Sequence, residues 1–150
     1  ITAVGKNGRG LKTGNGSKIS GISNDCDRMA DYAGMPVRGP KFLYERYQKP
    51  IYITENGISC NDVISLDGKV HDAGRIDFEE RYLAQLNRAI QDGADIRGYF
   101  YWSLMDNFEW SEGYSQRFGL VYVDYRTGER IPKDSAGWYQ KVIENNALTF

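Results

Sequence analysis

Ile51-Tyr52-Ile53-Thr54-Glu55-Asn56-Gly57 is the stretch on which the reading of the chain turns. Four residues of strand-forming type run into an acid, an amide and a glycine, and Pro50 precedes them. A short β-branched and aromatic run bounded by Pro and Gly predicts a buried strand over 51–54. Glu55 then falls where the strand stops, and Gly57 permits the sharp exit. A carboxylate on a rigid strand end is held in one place and can face a cleft, the position of catalytic residues in parallel α/β barrels. A carboxylate that caps a nearby helix or turn is the competing reading.

Outward from that strand the chain becomes regular on both sides. Upstream, Phe42, Leu43, Arg46 and Tyr47 follow helical spacing, with Pro40 at the expected helix start. Downstream, Asp67-Gly68 marks a tight turn. Asp77 with Glu80 three residues later predicts a capping box, and Tyr82, Leu83, Leu86, Ala89 and Ile90 supply the apolar stripe of the helix it opens. Gly93 stands where a C-terminal glycine belongs. A second strand is expected from Ile96 to about Ser103, a third over 118–124, and a turn at Thr127-Gly128. A last helix begins near Lys133, with Trp138, Tyr139, Val142 and Ile143 on one face.

Helices alternating with strands mean parallel strands joined by crossover helices. Two or three such strands are a slice of a larger α/β fold, because a whole (β/α)8 barrel needs about 250 residues and this chain has 150. Residues 1–40 read as an irregular connection punctuated by glycines. Gly8-Arg9-Gly10 and Gly14-Asn15-Gly16 lack the flanking strand, helix and Lys of a phosphate loop. A structureless run of this length inside a compact domain is unusual.

Composition narrows the function classes. With 41% hydrophobic and 26% charged residues the chain reads as globular, and a net charge of -1 argues against a nucleic-acid or membrane surface. No apolar run approaches a membrane span, and residues 1–20 hold no signal-peptide core. Cys26 and Cys60 are far apart and lack any metal-binding spacing, so two reduced thiols in a cytoplasmic chain are expected, with a disulfide as the alternative. His71 is the single histidine, with no second imidazole for a metal site and no nucleophile-elbow motif for a triad. Neither metal nor cofactor is implied.

Both strands end in residues with chemical potential: Glu55 after the first, and residues 102–110 after the second. A sugar ring presents an apolar face of C–H groups and an equator of hydroxyls. An indole matches the face and adds one N–H donor, and a carboxylate accepts hydroxyl donors with charge-assisted strength. Trp102, Glu109 and Trp110 on one loop suit that target. A buried aromatic cluster with Glu109 satisfied by backbone N–H groups is the structural alternative.

Several segments in order carry a specific resemblance: Ile53-Thr54-Glu55-Asn56-Gly57, Arg75-Ile76-Asp77, Asp92-Gly93-Ala94-Asp95-Ile96-Arg97-Gly98-Tyr99, Trp102-Ser103-Leu104-Met105-Asp106-Asn107-Phe108-Glu109-Trp110 and Arg117-Phe118-Gly119-Leu120-Val121-Tyr122-Val123-Asp124-Tyr125. Over about residues 41–145 the chain resembles the C-terminal part of glycoside hydrolase family 1, the β-glucosidase family; Pro132-Lys133-Asp134-Ser135 and Trp138-Tyr139 resemble its closing helix.

The resemblance implies the seventh and eighth units of a (β/α)8 barrel and retaining hydrolysis of a β-glycoside by two carboxylates. It implies that Glu55 is the nucleophile. Trp102 would be the wall under the sugar ring, Glu109 the acceptor for the O4 and O6 hydroxyls, Trp110 the donor to O3, and Phe118 a lining residue near O6. Because Glu109 would repel a 6-phosphate, the implied substrate is an unphosphorylated β-glucoside or close relative.

The chain also departs from the family. The acid/base Glu belongs to an upstream Asn-Glu-Pro motif, which appears nowhere in these residues, and residues 35–40 shorten the family's approach to the seventh strand. Residues 1–34 offer no defensible match. The implied partner is therefore the remainder of the barrel carrying that Glu. A non-catalytic sugar-binding relative and a barrel-completing subunit are the alternatives.

Overall fold

The computed structural model describes residues 35–148. Cys26 and the glycine-rich motifs of the first forty residues lie outside them. The elements in chain order are helix α1 (Met35–Tyr47), strand β1 (Ile51–Asn56), helix α2 (Ala73–Gln91), strand β2 (Ile96–Tyr101), a short 3-10 turn (Trp110–Glu112), strands β3 (Val121–Val123) and β4 (Arg130–Pro132), and helix α3 (Asp134–Asn145).

β1 and β2 pair in parallel with α2 as their crossover, so the expected β-α-β unit is present. Its core is one cluster. Leu83, Leu86 and Ala89 from α2 meet Ile96 and Tyr99 from β2 and Tyr139 and Val142 from α3, with Tyr44 of α1 packed at the side. The stripe predicted on α2 is the face that makes this contact. Gly93 ends the helix at φ 97°, in the left-handed region where a Cβ would be strained.

The predicted capping box is corrected. α2 starts four residues earlier than Asp77, and the N-cap position is Asp72. Asp77 lies inside the helix and pairs with Arg81 at 2.9 Å. The Asp72 side chain makes no capping bond, because it accepts from Arg75 Nε at 2.8 Å and from Ser135 N at 2.9 Å and Oγ at 2.5 Å. A partner 63 residues away thus takes the acid that local spacing would assign to the helix.

Three further expectations differ. Pro40 lies inside α1 rather than at its start; the helix forgoes one hydrogen bond there, and the proline is buried. β1 is longer than predicted and only half-buried, with Tyr52 55% exposed. A strand of a parallel sheet is normally covered on both faces, and among the described residues β1 has one neighbour only. The third strand does not join this sheet: β3 folds back antiparallel onto β4, which the sequence reading missed, through the turn at Thr127-Gly128. The last helix matches its expectation within one residue.

Candidate active site

Glu55 is the fifth residue of β1 and lies in a bulge. Ile53 pairs with Tyr99 and Asn56 with Tyr101, so Thr54 and Glu55 together oppose the single residue Phe100. A bulge twists a strand locally and re-aims its side chains. Here it accompanies an exposed Glu55 between an exposed Thr54 and a half-buried Asn56.

The end of β2 is tied to this point. Trp102 N donates to Asn56 O at 2.8 Å, and Asn56 Oδ1 accepts from Tyr99 Oη at 2.8 Å. Gly57 lies so close beneath this junction that a Cβ would overlap the Trp102 carbonyl. The glycine of the opening motif is therefore demanded by backbone approach, while turn formation alone was expected. Trp102 is 37% exposed, directly beyond β2 and next to the Glu55 strand end.

The loop after Trp102 docks on the β3 hairpin. Ser103 N donates to Phe118 O at 3.2 Å, Leu120 N to Ser103 O at 2.9 Å, and Asp106 N to Val121 O at 3.0 Å. Tyr101 Oη also donates to Phe118 O at 2.8 Å, which brings Phe118 to the end of β2. Gly119 sits where a Cβ would collide with the backbone at Met105 and Asp106. Glu55, Trp102 and Phe118 are thus joined through backbone contacts.

Glu109 and Trp110 are held at the far end of the same loop. Glu109 N donates to Gly113 O at 2.6 Å, and Glu112 N to Glu109 O at 2.8 Å. The half-buried Glu109 side chain makes no cap bond to the turn it precedes. Trp110 stands 83% exposed with φ 43°. No hydrogen bond joins either residue to Glu55 or Trp102 among the described residues. A cleft of about 380 Å³ runs along Trp102, Leu104, Asn107, Val123 and Arg130; of the five predicted site residues it touches Trp102 alone.

Beneath this loop lies a buried ion network that the sequence reading did not find. Asp106 accepts from Arg117 Nη1 at 2.6 Å, Lys133 Nζ at 2.9 Å and Gly119 N at 2.9 Å. Lys133 and Arg75 both pair with Asp62, and Arg75 also pairs with Asp72. Arg75 Nη1 donates to Ile58 O at 2.7 Å on the exit from β1, and its Nη2 to Arg117 O at 3.2 Å. Three cations and three acids thus clamp the β1 exit, the 102–110 loop and the start of α3 together. One signal was available: counting back from Leu83 in steps of four reaches Glu79 and then Arg75, so both charged residues continue the apolar stripe.

His71 has both ring nitrogens engaged, Nδ1 with Asp134 at 2.6 Å and Nε2 with Asp67 at 3.1 Å. The bond to Asp134, with Asp67 assisting, raises its pKa. This exposed imidazole is held between two acids.

An acid and an indole on adjoining strand ends of a β-α-β segment occupy the place where α/β folds carry their chemistry, the C-terminal ends of the strands. The chain belongs to glycosyl hydrolase family 1, whose profile matches residues 7–148. That span begins within residues 1–34, where the sequence reading found no defensible match.

The chain is 58% identical over 110 residues to a 1,4-beta-D-glucan glucohydrolase of Thermotoga neapolitana, covering 73% of this chain and 25% of that protein. It is 53% identical over 102 residues to a bifunctional beta-D-glucosidase/beta-D-fucosidase of Bifidobacterium breve, covering 65% of this chain and 22% of that one. Among solved structures, a beta-glucosidase from Thermotoga maritima in complex with deoxynojirimycin superposes with a TM-score of 0.77 at 51% identity, over 78% of this chain and 27% of that one. The chain therefore spans about a quarter of the length of these relatives.

Proposed function

We propose that this chain is the C-terminal portion, the seventh and eighth βα units, of a (β/α)8-barrel β-glycosidase that hydrolyses unphosphorylated β-glucosides with retention of configuration. The observation that carries the reading is Glu55 at the bulged end of β1, hydrogen-bonded through its neighbour Asn56 to the backbone of Trp102. Relatives named as glucosidases, one of them solved with deoxynojirimycin, support the substrate class.

In the proposed mechanism Glu55 attacks the anomeric carbon. The new carboxylate–carbon bond forms as the bond to the aglycone oxygen breaks, and that oxygen takes a proton from a second carboxyl group. Water then attacks the glycosyl ester, the second carboxylate takes a proton from the water, and Glu55 is released. The second carboxyl belongs about 5–5.5 Å from the first in a retaining enzyme. Its Asn-Glu-Pro motif is not in this sequence, so it comes from the remainder of the barrel. The Trp102 indole stacks under the ring, while Glu109 and Trp110 bind hydroxyls. Phe118 closes the side near O6.

The apolar faces fit that partner. Tyr52 on β1, Phe100 on β2 and Leu104, Met105 and Phe108 on the loop are exposed, where a closed barrel would cover the sheet with neighbouring strands. The isolated 150-residue chain is accordingly expected to show no cooperative melt and no hydrolysis of aryl β-glucosides. A sharp calorimetric transition with turnover by the purified chain would overturn the completion by other residues.

The assignment of Glu55 is tested by incubating the complete enzyme with a 2-deoxy-2-fluoro-β-glucoside and mapping the label by peptide mass spectrometry. Label on Glu55 is expected; label elsewhere, or none, removes the nucleophile. For Glu109, replacement by Ala is expected to raise the inhibition constant of glucose about 10–100-fold, since a hydrogen bond to a charged group contributes about 1.5–3 kcal/mol. Its thermal midpoint stays close to the parent, because the side chain makes no capping bond. Unchanged glucose affinity would exclude the hydroxyl-binding role.

A further inference from the structure

Glu79 is a carboxylic acid at zero exposure in the middle of α2, among the side chains of the hydrophobic core. Its Oε2 lies 3.0 Å from Tyr99 Oη, and its Oε1 has no partner among the described residues. The same Tyr99 hydroxyl lies 2.8 Å from Asn56 Oδ1. Asn56 in turn accepts from Trp102 N through its carbonyl and directly follows Glu55. A continuous polar path therefore runs from the back of the helix, through β2, to the junction that carries the proposed nucleophile and the indole beside it. An apolar side chain would pack at position 79 without the penalty of an unpaired buried oxygen. Such penalties concentrate at functional sites.

We infer that Glu79, Tyr99 and Asn56 are positioning residues, a buried hydrogen-bond chain that holds the Glu55 and Trp102 strand ends in register for attack. This rests on Glu55 being the nucleophile.

The chain has a direction, because a tyrosine hydroxyl has one proton to donate. With Glu79 protonated, Glu79 donates to the Tyr99 oxygen and Tyr99 donates to Asn56. With Glu79 ionised, the carboxylate takes the Tyr99 proton as its own hydrogen bond, and Asn56 Oδ1 loses its donor. Burial pushes the Glu79 carboxyl up to about 8, against smaller lowering effects from the Tyr99 bond and from Arg75 one turn back. The other titratable groups facing it are Tyr101 on β2 and Tyr139 on α3. Arg75 spends its donors on Asp62, Asp72, the Tyr101 hydroxyl and backbone oxygens, and makes no bond to Glu79. Burial thus outweighs these neighbours and keeps Glu79 in the donating form at neutral pH.

The test uses the complete enzyme and a dinitrophenyl 2-deoxy-2-fluoro-glucoside. Glu55 oxygen bonds to the anomeric carbon, the bond between that carbon and the phenolic oxygen breaks, and dinitrophenolate leaves with the electron pair and needs no proton. The labelling rate therefore reports attack without the second carboxyl. Tyr99→Phe is expected to label about tenfold more slowly or worse, a loss typical of a misplaced reacting group, with glucose inhibition within about threefold of the parent.

In the parent the labelling rate is expected to fall as pH rises through about 8. Glu79→Leu lowers the rate at every pH. Glu79→Gln restores it, because the amide still donates to Tyr99, and abolishes the fall. A folded Tyr99→Phe enzyme that labels at the parental rate overturns the inference. So does a Glu79→Gln enzyme that keeps the parental pH dependence, which decides the matter even where Tyr99→Phe does not fold. A parent that takes no label on Glu55 removes the proposed nucleophile and the inference with it. A labelled parent with indifferent variants removes the inference alone.

Discussion

Replacing Glu55 by Gln in the complete enzyme is expected to lower kcat for aryl β-glucosides by at least about 10⁴-fold, the scale on which loss of a nucleophile is felt. The amide has nearly the shape of the acid, so the bulged end of β1 and its tie to Trp102 have no reason to move. The change is one of reactivity: a neutral carboxamide oxygen neither forms a stable glycosyl ester nor balances the positive charge that develops at the anomeric carbon. KM should change far less than kcat, because the groups proposed to bind the sugar, Trp102 and Glu109, are unaltered.

A second variant separates chemistry from folding. Glu55→Ala opens space on that face of the ring, and added azide is expected to restore turnover by bonding nitrogen to the anomeric carbon as the aryloxide leaves. The product then has inverted configuration. Full activity of Glu55→Gln, or an azide product with retained configuration, would end the assignment.

Lys133→Met is expected to destabilise the complete enzyme by about 3–5 kcal/mol, the usual consequence of leaving a buried charge without its partner. Lys133 has zero side-chain exposure and bridges Asp62 and Asp106, which are themselves 3% and 0% exposed. Without the ammonium, three acids share two guanidinium groups in a site closed to water. The loss should appear as a lower denaturant midpoint at unchanged slope.

Because Asp106 also carries the backbone of Gly119 and the Arg117 contact, the loop from Trp102 to Trp110 should loosen, and sugar affinity should fall with stability. Adding Asp106→Asn to Lys133→Met removes the surplus negative charge. The double variant is therefore expected to be less destabilised than the sum of the two single variants. Strict additivity, or a neutral Lys133→Met, would mean that the six charges do not act as a unit.

Legibility varied along the chain according to how local the deciding contact was. The run of Ile51, Tyr52 and Ile53, the stripe from Tyr82 to Ile90 and the glycine at 93 were readable because periodicity and φ preference act within a few residues. The start of α2 was not, because Asp72 is claimed by Ser135 on another helix. β4 escaped notice because three residues around Pro132 have no period to read. The ion network was hidden for the same reason at larger scale: its six charges come from five separate stretches of chain, and each alone looks like a solvated side chain.

By itself the sequence determined the parallel β-α-β unit and the placing of an acid and an indole at the two strand ends, since spacing and motif order are properties of the chain. Tertiary structure alone decided that Glu55 lies in a bulge tied to Trp102, that the β3–β4 hairpin carries the loop from Trp102 to Trp110, and that Glu79 and Arg75 are buried beneath it. Those features depend on which distant groups are available to satisfy a buried donor or charge. That becomes known only when the elements pack.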